Sequence, residues 1–223
     1  LFPYTTLFRS LVVRRSLLRR WLLRPLGLAR NLDLTYNPQK ESMAFISKDT
    51  PCYFFTTVTN SRLPIFRTDE FKQILCTAYD EARRSGNFSI HAFCVMPDHS
   101  HIVTGGELSP SNTLRYLNGI SARRIVDKLK SEPKYLPSLH KLKVQARGDH
   151  KYSVWQHHPN TYIITSERMM MQKVNYMHKN PVEAGLAEAM EDFRFSSARY
   201  WLRKPILNDE PLAVDMKTID WRA

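Results

Sequence analysis

Residues 88–106 read FSIHAFCVMPDHSHIVTGG. The aromatic and β-branched run from Phe88 to Met96 predicts a strand, and HSHIVTG after it predicts another. Pro97-Asp98 separates the two as a tight turn, and Gly105-Gly106 ends the pattern. Residues i and i+2 of a strand project from one face, so His99 and His101 point together while Ser100 points the other way. Two imidazoles at this spacing form half of a metal site if further ligands come from elsewhere. A single histidine is usually just a partly buried polar residue, a reading that weakens for a pair at this spacing. Asp98 reads first as a turn former, with metal ligand or histidine partner as its other readings.

Working outward, CYFFTTVT (Cys52–Thr59) predicts an earlier, buried strand, followed by NSRLPIF as a loop. Thr68 or Asp69 can cap a helix running to about Ser85, in which Phe71, Leu75, Ala78, Tyr79 and Ala82 recur at helical spacing. Gly86-Asn87 ends it. Downstream, Ser109-Pro110 opens a second helix. Its apolar side is Leu114, Leu117, Ile125 and Leu129, with Arg115, Arg123 and Lys130 directed away. Ser131 to His150 is polar and basic, a loop with one short element. YSVWQHHPNTYIIT suits either strand or loop. Ser166-Glu167 starts a further helix, expected to end at Asn180-Pro181 because a residue before proline avoids helical geometry. FRFSSARYWL is helix-like, and a proline-containing tail follows. The order strand–helix–strand–strand–helix predicts an α+β fold of ferredoxin-like kind, an antiparallel sheet with helices packed on one face.

Within MMMQKVNYMHKNPVEAGL, Met170, Val174 and Met177 form one helical stripe and read as core. Met169, Lys173, Tyr176 and Asn180 form the neighbouring stripe. Tyr176 and Asn180, at i and i+4, converge on one point if the helix reaches Asn180. A tyrosine beside a bound divalent ion can act as a nucleophile toward a phosphodiester. On spacing alone, the reading of Tyr176 as a packing residue between helix and sheet prevails.

The chain has 223 residues, 43% of them hydrophobic and 24% charged, enough for one sizeable soluble domain. Lys and Arg number 33 against 21 Asp and Glu, a net +12 that favours a polyanionic partner such as nucleic acid, but residues 1–42 carry +6 of it, and charge alone reads as well as a solvated basic surface. Cys52, Cys76 and Cys94 are widely spaced among apolar neighbours, which supports neither a zinc knuckle nor a disulfide framework. The first 32 residues contain no acid, and arginines interrupt every apolar run, so no stretch of about 20 apolar residues can span a membrane. An organellar transit peptide and a basic membrane-surface helix are other readings of this segment, the helix limited by Pro3 and Pro25. LFPYTTLFRS resembles translated sequencing-adapter DNA, and the first methionine is Met43. Residues 1–42 are therefore expected to be a non-native or disordered basic extension.

MPDHSHIV followed by YMHKNPVEAGL resembles the single-tyrosine HUH transposases, and within them the REP-associated, IS200-like tyrosine transposases. YFFTTVT, LPIF and FSSARYW fit the same outline, so the resemblance runs from about Pro51 to Trp201. It implies a ferredoxin-like HUH core, with residues 43–205 as the catalytic domain and 206–223 as a tail. It implies His99, His101 and Asn180 as ligands of a divalent metal, Mg²⁺ or Mn²⁺, and Tyr176 as the nucleophile. The implied substrate is single-stranded or hairpin DNA, cut and rejoined through a 5′-phosphotyrosine. Arg115, Arg123, Arg124, Lys128 and Lys173 are the expected contacts to its backbone. The expected setting is cytoplasmic, with the nucleoid, with no membrane partner and with monomer or homodimer left open. Two residues depart from the family pattern. Ser100 stands where a bulky hydrophobic residue is usual and is expected to weaken packing behind the site. Glu183 replaces a common arginine and is expected to weaken a DNA contact. The competing readings are a hairpin-binding protein of the same fold that no longer cuts, and a metal-dependent hydrolase in which Tyr176 is structural.

Overall fold

The computed structural model describes Ile46, residues 51–147 and residues 150–216. The expected N-terminal extension, the segment around Met43 and the last residues of the expected tail lie outside the described residues.

The elements are β1 (Cys52–Val58), α1 (Asp69–Gly86), β2 (Ser89–Val95), β3 (His99–Gly105), α2 (Pro110–Ser131), α3 (Leu136–Lys141), β4 (Lys143–Arg147), β5 (His150–Tyr152), β6 (Asn160–Ile164), α4 (Glu167–Glu183) and α5 (Ala198–Trp201). Four strands form an antiparallel sheet in the order β2-β3-β1-β6. With α1 between β1 and β2, and α2 between β3 and β6, this is the ferredoxin-like arrangement. The expected α+β class and the three strands flanking the histidine pair are all present. α1 stops where expected, at Asn87 in the left-handed conformation (φ 49°). α2 starts with the Ser109 hydroxyl accepting from the Asn112 N–H and with Pro110 in its first turn.

Strand alternation gives the sheet two different faces. Phe55, Phe93 and Ile102 are fully buried on the face toward α1 and α2, beside Leu75, Tyr79, Leu117 and Ile125. Each such side chain contributes roughly 1.5–3 kcal/mol. α4 is an additional helix on the other face, where Phe54, Thr56, His99 and His101 project. The sheet edges differ as well. β2 is covered by the chain at 193–197: the Val95 N–H donates to the Phe195 carbonyl and the Ser197 N–H to the Phe93 carbonyl, both at 2.9 Å. The exposed residues of β6 lie at the opposite edge.

Three expectations are corrected. α4 does not end at Asn180-Pro181 but runs through Pro181 to Glu183. Its end is closed by a motif that outweighs the pre-proline preference: Leu186 N–H donates to the Pro181 carbonyl at 2.8 Å and Gly185 N–H to the Val182 carbonyl at 2.9 Å. Gly185 supplies the left-handed φ of 67° that this closure requires. Second, the polar stretch 131–150 holds more than one short element: α3 and a two-stranded ribbon, β4 with β5. Third, FRFSSARYWL is helical only over Ala198–Trp201, because Phe195–Ser197 pair with the β2 edge instead.

Candidate functional site

The turn that presents the histidines is tied down on both sides. Met96 N–H donates to the His99 carbonyl at 2.8 Å across Pro97-Asp98, and Phe66 N–H donates to the Pro97 carbonyl at 2.9 Å. Thr59 donates both its N–H and its hydroxyl to the Asp98 carbonyl, each at 2.9 Å. The Asp98 side chain does more than form a turn. Its Oδ1 accepts from His99 Nδ1–H at 2.6 Å and its Oδ2 from Arg62 at 3.0 Å. Partial burial opposes its ionisation, but the hydrogen bonds from His99 and Arg62 prevail and hold it below the usual carboxylate range. With Nδ1 so engaged, Nε2 is the His99 nitrogen left for a metal.

His101 is buried, and its ring lies across from His99 with centroids 4.9 Å apart, so the two do share a face. Its Nε2 is 2.8 Å from Asn180 Nδ2 and its Nδ1 is 2.9 Å from Thr56 Oγ1. The amide N–H donates, so the lone pair is on Nε2 and Nδ1–H donates to Thr56. Burial, reinforced by the nearby His99 and Lys173, pushes its pKa down to about 3, which leaves it neutral at ordinary pH. Phe54 stacks on the same ring at 5.4 Å and 17°. Tyr176 stands edge-on to His101 at 5.5 Å and to Phe54 at 6.4 Å, and is half exposed. Lys173, one turn before Tyr176 on α4, places its Nζ 5.3 Å from the Phe54 ring centroid and 4.0 Å from that of Tyr162.

His99, His101, Lys173, Tyr176 and Asn180 are thus brought together. Arg115, Arg123, Arg124 and Lys128 are not: all four lie on α2, which packs beside α1 against the opposite face of the sheet. Arg124 forks onto Glu81 at 3.0 and 2.8 Å, and Lys128 pairs with Glu70 and Glu132 at 2.5 Å. Sequence reading missed Thr56 and Phe54. Thr56 lies opposite His101 in the β1–β3 register, a relation legible only once the strand pairing is known.

Ser100 calls for a further correction. It faces the core as expected, but it does not leave a packing defect. Its Oγ is 2.8 Å from Thr57 Oγ1 and 2.6 Å from the Tyr79 hydroxyl, and all three residues are buried. The Tyr79 hydroxyl reaches in from α1 to meet Ser100, and the three hydroxyls satisfy one another. Glu183 is exposed in the last turn of α4.

Among the described residues no group of three or more His, Cys, Asp and Glu is placed to hold a metal. The available set is therefore the two imidazoles and the Asn180 amide. Its donor chemistry suits a divalent ion: each ring has Nδ1 engaged with an oxygen, of Asp98 or of Thr56, which leaves Nε2 as the nitrogen that could bind a metal. The amide that touches His101 Nε2 can turn over to offer its oxygen. Nitrogen ligands favour Mn²⁺ or another transition ion over Mg²⁺.

Three comparisons accord with this arrangement. Residues 50–141 match the sequence profile of the family described as "Transposase IS200 like". A Haemophilus influenzae protein, named a candidate REP-associated tyrosine transposase, is 26% identical over 148 residues, 65% of this chain and 78% of its own length. The solved structure of a REP-associated tyrosine transposase bound to a REP hairpin superposes with a TM-score of 0.50. It covers 75% of this chain and 87% of that one at 19% identity, a likeness of fold. The chain is thus similar to the IS200-like, REP-associated tyrosine transposases. The profile takes in β3 with its two histidines and stops before α4, so the placing of Tyr176 and Asn180 rests on the geometry above. Among the described residues no helix is long and apolar enough to cross a membrane.

Proposed function

We propose that this protein is a transposase acting on single-stranded or hairpin DNA, cutting and rejoining it with Tyr176 as nucleophile. The carrying observation is the convergence of His99 and His101 on β3 with Tyr176 and Asn180 on α4. The balance of 25 Lys and Arg against 19 Asp and Glu outside residues 1–42, and the hairpin named in the solved relative, support DNA as the substrate. His99, His101 and Asn180 would hold a divalent ion, which when bound supplies positive charge to a phosphoryl oxygen and favours a phenolate nearby.

The chain's own residues account for the rest. Asp98 and Thr56 fix the two imidazoles, and Phe54 packs against His101. Tyr176 is half exposed, so its hydroxyl can reach a bound phosphate. The Tyr176 oxygen attacks phosphorus and loses its proton to solvent, a P–O bond to tyrosine forms, and the bond to the 3′-oxygen breaks. That oxygen takes up a proton, giving a 3′-hydroxyl and a 5′-phosphotyrosine. Attack by a 3′-hydroxyl on the phosphotyrosine reverses the exchange, so joining needs no nucleotide cofactor. Lys173, with no salt bridge among the described residues, supplies a positive charge beside the bound strand.

The test uses end-labelled hairpin DNA from the flanks of the gene, with Mn²⁺, on a denaturing gel. A labelled protein–DNA adduct that needs the metal and disappears in Tyr176→Phe is the expected result. Cleavage that persists in Tyr176→Phe would instead indicate a hydrolase, and retarded DNA without cleavage a binding protein.

A further inference from the structure

The site has an aromatic extension that the cleavage chemistry does not use. From His101 the ring contacts continue through Phe54, and Lys173 joins Phe54 to Tyr162 on β6. Tyr162 pairs with Phe54 across the β1–β6 register, so both stand on the sheet face that carries the histidines. Phe54 is buried, whereas Tyr162 is 40% exposed at the sheet edge. The Lys173 ammonium lies 4.0 Å from the Tyr162 centroid and makes no salt bridge among the described residues. An uncompensated cation and an exposed ring therefore sit side by side, contiguous with the phosphate site.

The pairing suits a nucleotide, whose planar base stacks on an aromatic face while its phosphate meets a positive charge. We propose that Tyr162 is the stacking platform for one nucleobase of the single strand flanking the scissile phosphate, with Lys173 meeting that nucleotide's phosphate. Stacking tolerates any base, so Tyr162 sets the position of the strand and not its sequence. This inference rests on the DNA-processing reading above.

The full-length protein tests it with hairpin DNA carrying a single-stranded flank, in which one abasic nucleotide is moved along the flank. Binding is measured with Tyr176→Phe protein, so that no cleavage intervenes. One abasic position is expected to weaken binding about 10-fold, and Tyr162→Leu, which keeps an apolar cover over Phe54, to weaken it similarly. Combined, the two changes should cost little more than either alone, because both remove the same contact. Tyr162→Phe, which keeps the ring, should bind like its parent. If Tyr162→Leu fails to fold, 2-aminopurine moved along the flank gives the same information with Tyr162 intact. Its fluorescence should be quenched most at one position. Additive losses, or equal quenching at every position, would overturn the stacking role and leave the transposase reading intact. DNA that neither binds nor forms an adduct with the wild-type protein would overturn both.

Discussion

Asn180 Nδ2 lies 2.8 Å from His101 Nε2, although the two residues are 79 positions apart in the chain. The contact fixes the part of α4 that carries Tyr176 against the strand that carries both histidines. Asn180→Ala is expected to weaken Mn²⁺ binding by about tenfold or more. The change in folding stability should stay near 1 kcal/mol, since one hydrogen bond from a partly buried amide is lost. Titration calorimetry with Mn²⁺, beside thermal unfolding of the same variant, separates the two effects.

Asp98 holds His99 through Nδ1. Asp98→Ala should leave that ring free to rotate and lower Mn²⁺ affinity roughly 10- to 100-fold. Arg62→Ala removes only the outer partner of Asp98, whose guanidinium side chain is 66% exposed, and should change affinity little. Equal losses in both variants would show that the ion pair, and not the carboxylate–histidine contact, governs the site.

Ser100 binds the Tyr79 and Thr57 hydroxyls in the core, and burial pushes the Tyr79 phenol up to about 12, so it stays protonated. Ser100→Val, although nearer to the family pattern, should destabilise the protein by about 1–3 kcal/mol by stranding two hydroxyls and crowding the Tyr79 ring. Tyr79→Phe should recover part of that loss when combined with Ser100→Val. Denaturant unfolding of the two single variants and the double variant measures the coupling.

Two buried histidines that are not themselves in the proposed ligand set, His91 on β2 and His178 on α4, make stability depend on pH. Burial pushes His91 and His178 each down to about 4. An unfolded histidine titrates near 6.5, so between these values the unfolded chain holds the additional protons. Stability is therefore greatest above pH 6.5 and falls as the pH drops toward 4, by roughly 1.4 kcal/mol per pH unit for each proton. His91→Gln, which keeps a donor for the Asp215 carbonyl, should reduce the slope by about one proton. Urea denaturation between pH 7 and 4.5 reads both slopes.

What was legible in the sequence was what is local. The β1, β2 and β3 strands, the α1 and α2 helices and the shared face of His99 and His101 follow from periodicity and turn residues within short windows. β6 was ambiguous because its residues are mostly exposed and it is secured by pairing with β1, more than 100 positions earlier in the chain. Charge spacing shows which side of α2 is polar, but not that the helix covers the sheet face opposite the histidines. Asp98 looked like a turn residue and is one. Its bond to the neighbouring His99 needed a rotamer that the sequence does not specify. Ser100 looked like a defect because Tyr79, which completes it, comes from another element.

The most direct test of the account is the identity of the residue that becomes bound to DNA. The wild-type protein would be reacted with hairpin DNA and Mn²⁺, digested with nuclease and trypsin, and the modified peptide sequenced by mass spectrometry. The account predicts a nucleotide joined through its 5′-phosphate to Tyr176, in the peptide Val174–Lys179. A nucleotide on any other residue, or cleaved DNA whose ends are both free of protein, would contradict it.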